Sequence, residues 1–384
     1  MPDTAPVPAP VPFVDIQGQT RRLRERIDAR IRRVLDHGQF ILGPEVRELE
    51  EALADYVGGG HVVTTGSGHD AILIALMAEG IGPGDAVFVP AFTFVSTAEA
   101  VAAVGAAPIF VDVDERTFTL DPADLARRVA AVRRAGVWRP RAVMPVDIFG
   151  MPADYAAIGA VAEAENLYLL ADAAQSFGAT FGNRRAGRLA AATATSFFPA
   201  KPLGAAGDGG ALFTEDAGRA AEFRRLRVHG LDAAGDCLSV GMTGRLDTLQ
   251  AAILLVKLEA FPDDLERREA AARRYDAALA AHVEVPFRAA DRTCAWALYT
   301  ILSDRREAIR KALADARIPA RSYYEKALHL HPAFARFSEG PGSLPVTERL
   351  GRRNLSLPMH SELDAATIDR IAAVVAAAVS AGRT

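Results

Sequence analysis

The chain has 384 residues, 50% hydrophobic and 24% charged, with a formal net charge of −4. That is more chain than one compact core usually holds, so two closely packed domains are expected. The charge balance gives no basic stripe for nucleic acid and no acidic tail, and two distant cysteines, Cys237 and Cys294, offer neither metal-ligand spacing nor an iron–sulfur cluster.

The opening MPDTAPVPAPVPF is proline-rich and lacks the basic and apolar regions of a signal peptide, so residues 1–18 are expected to form an extended arm. No apolar run reaches membrane-spanning length, and a cytoplasmic protein without membrane or nucleic-acid partners is the expectation. Residues 19–36 and 44–57 carry amphipathic helix patterns, the second with Pro44 near its start. A strand, HVVTT (61–65), runs into the turn GSGHD and the helical AILIALMAEG. Further strands are expected at 86–92, 107–113, 141–150 and 167–174, alternating with helices at TAEAVAAVG, 121–135 and ADYAAIGAVAEAEN. Two more strands, ATATSFF and GGALFT, flank a loop. Residues 247–281 read as long helices bridging to a smaller unit, with strands near 296–302 and helices at 303–316 and 363–381. Short apolar strands alternating with helices predict an α/β fold whose mostly parallel sheet is covered on both faces. The expected division is a large domain over 19–265 and a small C-terminal α+β domain over 266–384.

Ligands of such sheets sit beyond the carboxyl ends of the strands, and Ser67, Phe94, Asp147, Asp172 and Gln175 all fall there. Lys201, one of only four lysines, stands in TSFFPAKPLGAAGDGGALFT, where small residues let a flat ligand approach. An apolar setting disfavours the ammonium and makes the amine a better nucleophile toward an aldehyde. The bland alternative is a surface-loop lysine. Asp172 ends the apolar run LLAD and is either aimed at the ligand edge or a helix cap. The turn Ser67-Gly68-His69-Asp70 leads from strand to helix, so its N–H groups and the helix dipole suit an anion. Ser196 offers a further hydroxyl, and Phe94 is either a ring-stacking face or core.

Through these segments, and through VPFVDIQGQ, GQFILGPEVRELEEALADYVG, GIGPGDAVFVPAFTFVSTAEAV, LLADAAQSFGA, GRLDTLQAAILLVKL, LHLHPAF and LSLPMH, nearly the whole chain resembles the DegT/DnrJ/EryC1/StrS family of sugar aminotransferases. The resemblance implies fold type I of the enzymes that use pyridoxal 5′-phosphate (PLP), with a seven-stranded sheet sandwiched by helices. It also implies a homodimer whose active sites are shared across the interface. By position, Lys201 carries PLP as a Schiff base and shuttles protons, Asp172 pairs with the pyridine nitrogen, Gln175 lies near the ring oxygen, and Phe94 stacks on the ring. Ser67, Gly68, His69, Asp70 and Ser196 hold the phosphate, joined by Thr243 across the dimer. Arg245 and Tyr324 match positions that reach substrate from the partner, and Tyr323 and His329 lie where the family reads the sugar. No metal is implied.

Three residues depart from the family's pattern. His69 stands for a usual Thr, Thr243 for a usual Asn, and Tyr323 for a common His. The segments GRLDTLQAAILL, LHLHPAF and SLPMH most resemble the branch that aminates nucleotide-linked 3-keto uronic acids, UDP-2-acetamido-2-deoxy-3-oxo-glucuronate being the type substrate. Glutamate or glutamine is the implied amino donor. The Arg245 guanidinium fork suits the acceptor's carboxylate; its structural alternative is an ion pair with Asp247 or a bond to a main-chain carbonyl. A 4-keto sugar or a ketocyclitol is the nearest alternative acceptor. A sugar dehydratase or accessory protein of the same fold is disfavoured, because Lys201 is present and two cysteines cannot hold a cluster.

Overall fold

The computed structural model describes residues 10–381; residues 1–9, the first half of the expected arm, lie outside the described residues. Helix α1 (Ile16–His37) starts within the stretch read as an arm, because the Asp15 carboxylate caps it by accepting from Gly18 N at 2.7 Å. Helix α2 (Pro44–Val57) follows, with proline in its first turn, where the missing N–H costs nothing.

The next elements alternate as the periodicity predicts: β1 (His61–Thr65), α3 (Gly68–Ala78), β2 (Asp85–Pro90), α4 (Val95–Ala103), β3 (Ala107–Val111), α5 (Pro122–Ala135), β4 (Arg139–Val143), α6 (Tyr155–Ala164) and β5 (Tyr168–Asp172). A short hairpin, β6 (Thr180–Phe181) and β7 (Arg184–Arg185), precedes β8 (Ala192–Ser196), β9 (Gly210–Thr214) and α7 (Ala217–Leu226). The large sheet has seven strands in the order β1-β9-β8-β5-β4-β2-β3. Only β9 runs against its neighbours. Every residue of β2 is buried, as a strand covered on both faces requires. Two apolar clusters fill the two faces, one around Ile74, Val87 and Phe223, the other around Phe88, Leu125 and Ile158. Each large side chain buried there contributes about 1.5–3 kcal/mol.

The long helical region is one helix, α8 (Thr248–Leu279), which continues through Pro262. Proline removes one backbone donor there, yet apolar contacts hold both halves. Leu254, Leu258 and Leu265 pack with the large-sheet core, whereas Ala271, Tyr275 and Leu279 pack with β10 (Tyr299–Leu302), α9 (Arg306–Asp315), β11 (Asn354–Leu357) and α11 (Ala365–Ser380). Helix α10 (Pro345–Arg353) and strand β11 were not expected from periodicity. Asp112 at the end of β3 fixes α10 by accepting from the backbone N–H groups of Val346 and Thr347.

Candidate active site

Strands β1, β5 and β8 deliver the central residues to one end of the sheet. Ser67 caps α3, its Oγ accepting from Asp70 N at 3.0 Å. That leaves the Gly68 and His69 N–H groups of the first turn for an incoming anion. Gly68 is glycine for a spatial reason: a Cβ there would sit 2.7 Å from Ser196 Cβ. The Ser196 hydroxyl thus lies against the helix start and forms a polar cradle with its N–H groups. The His69 side chain does not face this cradle alone, because its Nδ1 lies 2.7 Å from Ser96 Oγ on α4. Burial raises the pKa of the Asp70 carboxyl, against the pull of His69 and Ser67.

Asp172, at the end of β5, is buried and has no cationic partner within ion-pair distance among the described residues. Its Oδ2 accepts from Thr97 Oγ1 at 2.9 Å and its Oδ1 from Ala174 N at 3.2 Å. Burial raises its pKa, and the Ala174 N–H, the Thr97 hydroxyl and Lys201 oppose that shift. Lys201 is half-buried in the turn after β8, where enclosure pulls its ammonium below the ordinary lysine range and Asp172 pulls it back. The amine of Lys201 and the carboxylate of Asp172 thus lie within reach of each other's charge, and the carboxylate is held by a hydroxyl and a backbone N–H rather than by a cation.

Gln175 Oε1 accepts from Phe149 N at 2.7 Å, which fixes the amide and turns its NH2 outward as the donor. That side chain faces the Tyr324 hydroxyl, whose pKa is raised by burial. The Tyr324 ring lies 6.4 Å from that of Phe94, the exposed N-cap residue of α4. Tyr324 thus reaches Gln175 of its own chain, whereas the resemblance implied approach from a partner subunit; it is held there by Phe92 and Tyr323, whose own ring packs on Phe13. Thr243 is exposed, its hydroxyl 3.0 Å from His229 Nε2. Arg245 lies behind Gly66, and its buried Nε has no partner; among the described residues it forms neither of the bonds its structural alternative required. His329 is buried elsewhere: its Nε2 meets Glu348 at 3.1 Å and its ring packs near Phe110. Its hydrogen bond and its ring contact are both with residues other than Lys201, Asp172 and Gln175. Sequence gives Thr97 and Ser96 no role and Asp147 only its place at the ligand end of the sheet, because only the packing of α4 and of the loop after β4 shows what their side chains touch.

This arrangement fits PLP. The turn at Gly68 and His69 with Ser196 would hold the phosphate, the buried Asp172 carboxylate would pair with the ring nitrogen, and Lys201 would supply the amine for the aldehyde. The fold and the site together define a PLP-dependent aminotransferase.

A search of protein families matches the DegT/DnrJ/EryC1/StrS aminotransferase family over residues 21–376, and the chain belongs to that family. A UDP-2-acetamido-2-deoxy-3-oxo-D-glucuronate aminotransferase of Pseudomonas aeruginosa is 43% identical over 366 residues, covering 95% of this chain and 99% of that protein. A crystal structure of a DegT DnrJ EryC1 StrS aminotransferase from Brucella abortus superposes with a TM-score of 0.93 at 46% identity, covering 95% of this chain and 98% of the other. The S. venezuelae DesV structure in complex with a ketimine intermediate gives a TM-score of 0.91 at 37% identity, with 96% and 98% covered.

Proposed function

We propose that this enzyme transfers an amino group from glutamate or glutamine to the keto carbon of a nucleotide-linked 3-keto uronic acid sugar. The observation that carries the site assignment is the placing of Lys201, enclosed in the turn after β8, close enough to the buried Asp172 carboxylate for each to act on the other's charge. The acceptor class is supported by the Pseudomonas aeruginosa relative and by Arg245, whose buried Nε has no partner among the described residues.

In this reading the chain's residues divide the work. The Gly68 and His69 N–H groups and the Ser196 hydroxyl bind the phosphate, with Thr243 joining from a second copy, while Ser67 and Asp70, expected from sequence to hold it as well, are engaged with each other and shape the turn. Asp172 holds a proton on the ring nitrogen, Gln175 donates its NH2 toward the ring oxygen, and Phe94 covers one ring face. PLP, when bound, supplies an electron sink for the substrate carbon and a carrier for the amino group. Lys201 Nζ would take the proton from the donor's α carbon and return it to the cofactor carbon that keeps the amino group, a positioned transfer worth roughly 10²–10⁴-fold. Arg245 pairs with the acceptor's carboxylate, and Tyr323 and Tyr324 line the sugar. A second copy of the chain completes the site. Phe40, Ile41, Leu42, Phe94, Phe198 and Val240 are all exposed, and Phe40 and Ile41 bond to the segment that follows Arg245. We place His329 outside the substrate contacts.

Half-reactions test this assignment. Glutamate alone should shift the visible absorption of the holoenzyme toward the amine form, and the keto sugar should restore it. Arg245→Ala should leave the glutamate step within about threefold and slow the sugar step about 10–100-fold, the loss of a charge-assisted pair. Equal loss in both steps assigns Arg245 a structural role. A PLP-bound protein that responds to no amino donor contradicts the transaminase reaction.

A further inference from the structure

Asp147 lies in the loop after β4, fully buried and paired with no cation among the described residues. Both carboxylate oxygens are used. Oδ1 accepts from Ala153 N and from the Tyr155 hydroxyl, each at 2.8 Å, and Oδ2 accepts from Ser176 Oγ at 2.6 Å. The backbone N–H of Asp147 donates to Asp172 O at 3.0 Å. Two residues on, Phe149 N donates to Gln175 Oε1 at 2.7 Å. Phe149 holds a left-handed φ of 61°, a conformation that non-glycine residues keep only where their surroundings enforce it. The loop after β4 is therefore tied to the loop after β5 at three points, at residues 172, 175 and 176. The two side chains assigned to the cofactor ring, Asp172 and Gln175, hang from that tied segment.

A purely structural acid is a poor fit to this place. Desolvating a carboxylate is expensive, and burial holds this carboxyl up at about 7 despite its three donors. We propose that Asp147 is a positioning residue for the cofactor ring: through Ser176 it sets the direction of Asp172 and Gln175 relative to Lys201. This rests on the reading of Lys201 and Asp172 as the pair that faces PLP.

The test uses the holoenzyme and three readouts: the visible circular dichroism per mole of bound PLP, the rate of PLP loss on dilution, and Tm. Borohydride reduction of the wild type first shows whether a pyridoxyl group sits on Lys201; its absence there refutes the site reading, not the role of Asp147. Given that adduct, Ser176→Ala removes one oxygen and leaves Asp147 Oδ2 without its donor. We expect the dichroism per bound PLP to fall at least about twofold and PLP loss to quicken about tenfold, the scale of one hydrogen bond to a charged acceptor. Asp147→Asn, whose amide oxygen still accepts from Ala153 and Tyr155, should stay within about threefold of wild type in both. A Ser176→Ala protein with lowered Tm but unchanged dichroism and retention overturns the proposal. So does an Asp147→Asn protein as impaired as Ser176→Ala, since the charge and not the tether would then matter.

Discussion

Lys201 and Asp172 act on each other in opposite senses. Burial favours the neutral amine of Lys201, and the Asp172 carboxylate favours its ammonium. The folded pKa thus lies below the unfolded value of 10.5, so the lysine costs stability at low pH and that cost is relieved as pH rises through the interval. Removing the Asp172 charge should lower the lysine further. Apo Asp172→Asn is therefore expected to capture PLP with a pH midpoint below that of the apo wild type, read from the rise of visible absorption. A midpoint that stays or moves up contradicts the coupling. At this scale much was legible in the sequence. Four lysines and one glycine-rich segment single out Lys201, and an apolar strand ending in Asp singles out Asp172. Residues whose role comes from a tertiary partner were not legible. Thr97 bonds Asp172 from a different helix, and Asp147 reaches Ser176 across two loops. His329 stands in a family-like motif, but its three-residue turn buries it against Phe110 and Glu348.

The elements of the large sheet follow from periodicity and caps. Asp15, Ser67, Asp121, Asp154, Asp216 and Asp364 each cap a helix with their own side chain, and each such cap contributes about 1 kcal/mol. Helix α10 and strand β11 escaped notice because a nine-residue helix and a four-residue strand offer too little period to read. Helix α8 carries an unexpected burden in Lys257, buried among apolar residues of the helix that packs on α1. Desolvation pulls this lysine down to about 8, and Asp264 only partly offsets it, being engaged by Gln19 and Arg22. Below pH 8 the ammonium is paid for in stability, on the order of 3 kcal/mol from the shift itself. Lys257→Met should therefore raise Tm by a few degrees at pH 7. The gain should shrink as pH rises from about 8 toward 10.5, where the wild-type amine is neutral in both states. A lower Tm for the variant at pH 7 would assign Lys257 a favourable partner instead.

For the molecule as a whole, one helix joins the two cores: α8 packs first on the large sheet and then on the β10–β11 unit. Two segments from opposite ends of the chain meet at the site, one of them returning by way of α8. Tyr324 comes back to Gln175, and Phe13 at the other end of the chain packs on Tyr323. The apolar residues left exposed around the site, Phe94 and Phe198 among them, form the surface on which a second copy is proposed to sit. No helix among the described residues is long and apolar enough to cross a membrane. Everything assigned to the site depends on where the aldehyde of PLP is held. Reduction of the holoenzyme with borohydride, followed by peptide mass spectrometry, should place one pyridoxyl group per chain on the peptide containing Lys201. A pyridoxyl group on Lys257, Lys311 or Lys326, or on no lysine, contradicts the account.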